Sequence, residues 1–442
     1  MQLLIHAPNI SPRLQYICQF IFSELMQVNF LITTDQTVFK NYSGPKIKYT
    51  NEAANDEELT IGNCGLLFET NIREVDIQCF EVNNYKAFFK TPAADFPFDI
   101  FSASFYLISR YEEYLPHKKD IYGRYGHENS LAFKEHFLHM PLINIWVKHF
   151  IVLLQSKFPA FTIHQSPFTF IPSYDIDMAF SYKYKGWLRN TGGFLKSPSI
   201  DRIKVLLGLM QDPFDSYDWL NELHSRNKLQ PLYFFLMAKE NGAYDKNILP
   251  GKKIMVQMIQ EHAKKYNIGI HPSWQAGDRP ALLKTEKDQL TISSQTTISK
   301  SRQHYIRFNL PAGYRHLFEN SITDDYSMGY GSINGFRASV ASSFYWYDLQ
   351  KNEVTQLRVH PFCFMDANSY YEQKFTAAEA YDELMHYYSI CKEVNGQLIT
   401  IWHNNFLGTD PQFAGWKEIY QDFVSEVKKE SPKSKGGTIF TM

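Results

Sequence analysis

The sequence has little of what would mark a disulfide-stapled, membrane-spanning or nucleic-acid-binding chain. Cysteine is scarce: Cys18, Cys64, Cys79, Cys363 and Cys391 are the only five in 442 residues, an odd number with no pair at metal-finger spacing. That pattern excludes a disulfide framework and predicts free thiols in a reducing compartment. No apolar run is long enough to span a bilayer. The opening residues, MQLLIHAPNISPRLQYICQF, lack a basic leader, an unbroken apolar stretch and a small-residue cleavage site, so they are expected to be a strand and a helix rather than a signal peptide. Net charge is nearly absent as well: 45 basic and 46 acidic side chains leave −1. Such a balance supplies no global attraction to nucleic acid or to an anionic membrane. These absences lead to the expectation of a cytoplasmic protein with no membrane insertion and no nucleic-acid partner.

What is present is core-forming material. Hydrophobic residues make up 44% and charged residues 21%, enough apolar content for a globular chain whose length suits two domains. Aromatics reach 16%, which fits large cores or a sugar-facing cleft. Residues 1–165 are expected to form a mixed α/β N-terminal domain. Leu3–His6 and Val28–Thr33 are strand-like, with Ile47–Tyr49 and Leu66–Phe68 as shorter candidates. Ser11 can cap a helix with Pro12 in its first turn and Leu14, Ile17, Ile21 and Leu25 along one face. Asp99 can cap a helix running to Tyr114, and Pro141 opens an amphipathic helix through Leu142, Ile145, Trp146 and Leu153. No catalytic constellation is visible in this part.

Residues 166–427 alternate strands with helices, the pattern of a parallel sheet, open or closed as a barrel. Phe168–Tyr174, Leu232–Met237, Ile268–Ile270, Gln295–Ser299, Leu357–Val359 and Leu398–Trp402 are the strand candidates. Helices are expected around Ile203–Met210, Tyr217–His224 and Lys253–Lys265, and after the Thr376/Glu379 capping box. Residues 428–442 are expected to be a mobile tail.

Four short motifs sit at expected strand ends. Ser173-Tyr174-Asp175-Ile176-Asp177 places two carboxylates at i and i+2, hence on one face of a strand. Gly269-Ile270-His271-Pro272-Ser273 puts a histidine where a proline turns the chain. Gly335-Phe336-Arg337-Ala338-Ser339 carries an arginine, and Ile401-Trp402-His403-Asn404-Asn405 a second strand-end histidine. A fifth segment, Ser301-Arg302-Gln303-His304-Tyr305, carries His304. Alone, each has an ordinary structural reading: D-x-D pairs cap helices, single histidines pack in cores, and arginines form surface ion pairs.

In this order, over about residues 166–425, the motifs resemble the polysaccharide deacetylase (NodB-like) family. The resemblance implies a distorted (β/α) barrel with fewer than eight complete units. It implies Asp175 as catalytic base, Arg337 as the arginine that holds the base, and His403 as general acid. It also implies Asp177 and His271 as ligands of a divalent metal, with zinc the expected ion. The family's usual H-x-x-x-H is not kept, since Gln275 stands four residues after His271. His304 is therefore the expected third ligand, with His360 as the other candidate, and Met365-Asp366 stands where the family has a further aspartate motif. The implied reaction is removal of acetyl groups from an acetylated carbohydrate by metal-activated water. Two alternatives stand beside it: an amidohydrolase of the same fold acting on a small non-peptide amide, and a barrel that binds carbohydrate without turnover.

Overall fold

A computed structural model describes residues 1–52, 57–92, 94–196 and 198–430. The expected tail therefore falls largely outside the described residues, and the last described helix, Trp416–Glu430, takes in its first three.

The strands in chain order are β1 (Leu3–His6), β2 (Phe30–Thr33), β3 (Lys46–Tyr49), β4 (Leu59–Ile61), β5 (Phe80–Val82), β6 (Tyr85–Ala87), β7 (Thr169–Ile176), β8 (Leu232–Leu236), β9 (Asn267–His271), β10 (Lys300–Ser301), β11 (Asp324–Asp325), β12 (Phe344–Asp348), β13 (Glu353–Val359), β14 (Phe364–Met365) and β15 (Gln397–His403). The first four form a parallel sheet in the order β2-β1-β3-β4, and β5 and β6 form an antiparallel ribbon. Ser11 caps the helix Pro12–Cys18 by accepting from the Leu14 amide, and Leu14 and Ile17 lie fully buried. Leu66–Phe68, expected as a strand, is a 3-10 turn: Gly65 enters it with φ +90, which breaks extended geometry. The helix capped by Asp99 ends at Ile108. Arg110 then takes φ +55, and Tyr111–Tyr114 continue as a 3-10 turn.

Among the described residues the larger sheet has nine strands, in the order β12-β13-β11-β10-β9-β8-β7-β15-β14. Every pairing is parallel except β12 with β13. Central strand β8 (LYFFL) is buried along its whole length, as a strand covered on both faces should be. Read from β7, the parallel strands follow chain order through β13 on one side and return through β14 and β15 on the other. Among the described residues, no ladder joins β13 to β14, so the expected barrel is not closed by hydrogen bonding. Gln295–Ser299 is also not a strand. The helix Pro280–Ser294 ends with Gln295 at φ +59, and β10 begins only at Lys300.

Residues before and after position 165 share one hydrophobic core. Tyr16 and Phe105 both pack on Tyr347, with centroids 4.9 and 5.2 Å away. A buried ion network also crosses this line. Arg337 donates to both Glu113 oxygens at 2.9 and 2.6 Å, and Arg110 donates to Glu113 and Glu112 at 2.8 Å each.

Candidate metal centre and active site

The strand register brings the motifs together. β7 is flanked by β15 and β8, so Asp175 lies opposite His403 on one side and Phe234 on the other. β9 follows β8, which places His271 beside Leu236 at the same sheet end. β10 follows β9, and the chain leaves it through Arg302 and a turn holding His304.

Asp177, His271 and His304 converge, each with a ligand atom within 4.8 Å of the others. Asp177 Oδ1 lies 3.2 Å from His271 Nε2, and Asp177 Oδ2 lies 3.3 Å from His304 Nε2. Both rings are oriented from behind. His271 Nδ1–H donates to the Arg302 carbonyl at 2.6 Å, and His304 Nδ1 lies 2.9 Å from Asp245 Oδ1. Pinning Nδ1 in this way leaves Nε2 as the ligand atom. The residues fit a divalent cation on a direct observation. Asp177 Oδ1 is buried and has no hydrogen-bond partner among the described residues, and it faces Nε2 of His271 at 3.2 Å. A buried carboxylate needs a positive partner there, and a cation between the two atoms would serve as one.

Burial alone would raise the Asp177 carboxyl, but the charges of His304 and His271 hold it well below the usual carboxylate range. Burial would likewise lower His304. The charge of Asp177, with hydrogen bonds to Asp177 and Asp245, pushes it up instead, to about 9. The consequence has a definite sign. In metal-free protein His304 is protonated below about 9, and a cation must displace that proton. Apparent metal affinity should therefore rise by about tenfold per pH unit from near neutrality and level off above that value. Metal-free stability should run the other way, since a raised histidine stabilises most below its unfolded pKa and loses that contribution as pH rises through 9. Calorimetric metal titration across this range measures the first. A flat affinity would contradict it.

Asp175 flanks this cluster, with Oδ2 3.8 Å from His271 Nε2. The resemblance implied Arg337 as its tether, and the structure corrects this. Arg337 is held by Glu113 and donates to the Gly329 carbonyl at 3.1 Å. Arg302 instead donates to Asp175 Oδ1 at 2.8 Å, to Ser173 Oγ at 2.8 Å and to the Tyr326 carbonyl at 3.1 Å. Its guanidinium lies 4.3 Å from the Phe234 ring centre. Gly269 makes room for that ring, since a Cβ there would sit 2.5 Å from Phe234 and 2.9 Å from the Lys300 carbonyl oxygen. Arg302 and His304 thus repeat the i, i+2 spacing of Asp175 and Asp177, a signal present in the Ser301–Tyr305 motif.

His403 faces the cluster from the other side, with Nε2 3.5 Å from Asp177 Oδ2. Behind it Asp366, itself fully buried, takes His403 Nδ1 at 2.6 Å and accepts from the His403 amide at 2.6 Å. Burial disfavours the imidazolium, but Asp366 and Asp177 together raise His403 well above its ordinary value. His360, the other ligand candidate, lies outside the cluster. It is tied to Asp324 and Ser343 at 2.8 and 2.7 Å and stacked on Tyr326.

A cavity of about 410 Å³ opens over these groups. Part of its lining was not legible in the sequence: Tyr122 and Arg124 come from the N-terminal part. The Asp120–Arg124 turn is closed by the Asp120 carboxylate, and Arg124 donates to the Tyr305 carbonyl at 2.6 Å. That contact docks the turn on the residue after His304. Tyr122, Tyr305, Tyr244 and Trp274 form a continuous aromatic cluster, with Tyr244 stacked on Trp274 at 4.0 Å.

Residues 3–159 match a family described as of unknown function, DUF7033. No match to a curated protein was found. Solved structures with similarity include a chain described as a polysaccharide deacetylase from Mycobacterium smegmatis, at 12% identity and TM-score 0.40, covering 60% of this chain and 85% of that one. PuuE allantoinase matches at 10% identity and TM-score 0.40, covering 60% and 84%. A polysaccharide deacetylase from Bacillus cereus matches at 8% identity and TM-score 0.32, covering 59% and 88%. Likenesses this low do not place the chain in a family and carry no functional conclusion.

Proposed function

We propose that the chain is a metal-dependent hydrolase that removes acetyl groups from a carbohydrate. The observation that supports this reading most is the convergence of Asp177, His271 and His304 on one point with Asp175 and His403 on either side of it. An N₂O donor set with further positions open is the composition of a catalytic zinc site, and zinc is the ion we propose. Once bound, such an ion polarises an acyl carbonyl and lowers the pKa of water.

The chain's own residues carry the remaining roles. Asp175 takes the proton of the attacking water, and Arg302 keeps that carboxylate oriented. His403, held as imidazolium by Asp366, donates a proton to the departing nitrogen or oxygen. An amine needs this proton because it cannot leave as an anion near neutral pH. Tyr122 and Tyr305 line the cavity, and aromatic side chains of this kind suit the apolar face of a sugar. The products are acetate and the freed amine or hydroxyl of the sugar. A non-catalytic reading would leave the unbonded Asp177 Oδ1 and the aspartate-backed His403 without purpose.

Acetate release from acetylated oligosaccharides, measured with zinc-loaded protein and with His403→Ala, tests this reading. Release by the parent and a loss of about 10²–10⁴-fold in the variant are expected. No acetate from any acetylated sugar, or equal rates in both proteins, would overturn it.

A further inference from the structure

Between β7 and the helix Tyr217–Asn227 the chain makes an excursion that the catalytic reading does not use. It leaves the sheet at Asp177 and carries two helices, Trp187–Lys196 and Ile200–Leu206. Its roots are fixed beside the site. Asn404, the residue after His403, donates to the carbonyls of Met178 and Phe214, and Ser216 Oγ donates to the Asn404 carbonyl. Asp212 accepts from the amides of Ser181, Tyr182 and Lys183. The excursion therefore stands on the rim of the catalytic face.

Its composition is unlike the rest of the surface. Trp187, Leu195, Ile200 and Leu209 are 74%, 78%, 73% and 75% exposed, and Tyr184, Ile203, Leu206 and Leu207 are exposed beside them. So many exposed apolar side chains within one short stretch mark an interaction surface. Residues 183–207 also hold six basic residues against the single acid Asp201; Arg189 and Lys204 are exposed, Lys183 and Arg202 are half-buried, and burial pushes Lys185 down to about 8. A chain of net charge −1 thus concentrates positive charge where it exposes a tryptophan and aliphatic side chains. Arg202 ties the two helices by donating to the Asn190 carbonyl at 3.0 Å and stacking on Tyr182, so the patch is held open rather than folded away.

We propose that this helical pair docks the protein on an anionic lipid surface, with its apolar side chains at the headgroup boundary and its basic side chains on lipid phosphates. Exposed tryptophan and aliphatic residues interleaved with lysine and arginine are the composition of a helix that lies in a membrane interface. This is surface attachment only; no helix among the described residues is long and apolar enough to cross a membrane. Because the pair stands on the catalytic rim, docking turns the cavity toward the lipid. The substrate is then a saccharide displayed at that surface, a consequence that rests on the deacetylase reading.

Co-sedimentation of the full chain with vesicles of phosphatidylglycerol and phosphatidylcholine in equal parts, and with phosphatidylcholine alone, tests the proposal. Binding to the anionic vesicles only is expected, weakened by salt. Trp187→Glu with Leu195→Glu, or separately Arg189→Glu with Lys204→Glu, should weaken it about tenfold or more with unchanged circular dichroism. His403→Ala should bind like the parent, so a failed deacetylase assay leaves this result standing. Absence of binding to anionic vesicles, or binding indifferent to both double variants, would overturn the proposal. So would self-association through the patch without lipid binding, which would assign it to a second copy of the chain.

Discussion

Replacing His304 with alanine is expected to strip the protein of its metal and to abolish acetate release with it. In the proposed site His304 is one of the two nitrogen donors, and its ring is fixed by the buried Asp245. Loss of an outer-shell partner alone typically costs about 10–100-fold in affinity, and loss of the ligand itself should cost more. Metal content after dialysis should fall from about one equivalent to a small fraction. His360→Ala is the matched control: it removes a histidine just past β13 that the structure ties to Asp324 and Ser343. It should leave metal content unchanged. The reverse result, with metal lost on replacing His360 and kept on replacing His304, would move the site.

The second large effect is expected for Asp175→Asn: turnover down by about 10²–10⁴-fold with metal retained. The amide keeps shape and one acceptor oxygen for Arg302 but cannot take a proton. The role expected of Arg337, holding the base, then falls to Arg302, and the two arginines can be tested apart. Arg302→Met should lower the rate, because Asp175 loses its tether and its nearest cation. Arg337→Met should leave the rate of folded protein near the parent's. It should instead destabilise the fold by about 1.5–3 kcal/mol in urea unfolding, because buried Glu113 loses two charge-assisted hydrogen bonds and keeps the one from Arg110. Steady-state kinetics and metal analysis of the three variants read this directly. Full turnover in Asp175→Asn would remove the proposed base.

The part of the site that was legible in the sequence was the part written locally. Asp175 and Asp177 share a strand face by spacing alone, and the strand-end positions of His271 and His403 follow from apolar runs that stop at a turn. The Thr376/Glu379 box and the Ser11 cap needed only neighbours three residues apart, and both are present. The missed features depend on contacts distant in sequence. Gly335-Phe336-Arg337 and Ser301-Arg302-Gln303-His304 each offered an arginine at an expected strand end, but only Arg302 directly follows a strand, β10, while Arg337 lies in the segment between β11 and β12. β10 lies three strands from β7, within reach of Asp175 across 127 positions of sequence. Arg337 is turned instead toward Glu113 in the N-terminal part. The same holds for Tyr122 and Arg124, whose place at the cavity depends on a contact with Tyr305 that is 181 positions long. Net charge is a different case: a value of −1 is a sum over the whole chain and carries no information about where the basic residues of 183–207 lie.

The claim beneath all of this is that Asp177, His271 and His304 bind one divalent ion. Anomalous diffraction at the zinc absorption edge, from crystals of zinc-loaded protein, tests it most directly. A single strong peak is expected at about 2.0–2.2 Å from an Asp177 oxygen and from Nε2 of both histidines. A peak held by other side chains, or none beside these three, would contradict it.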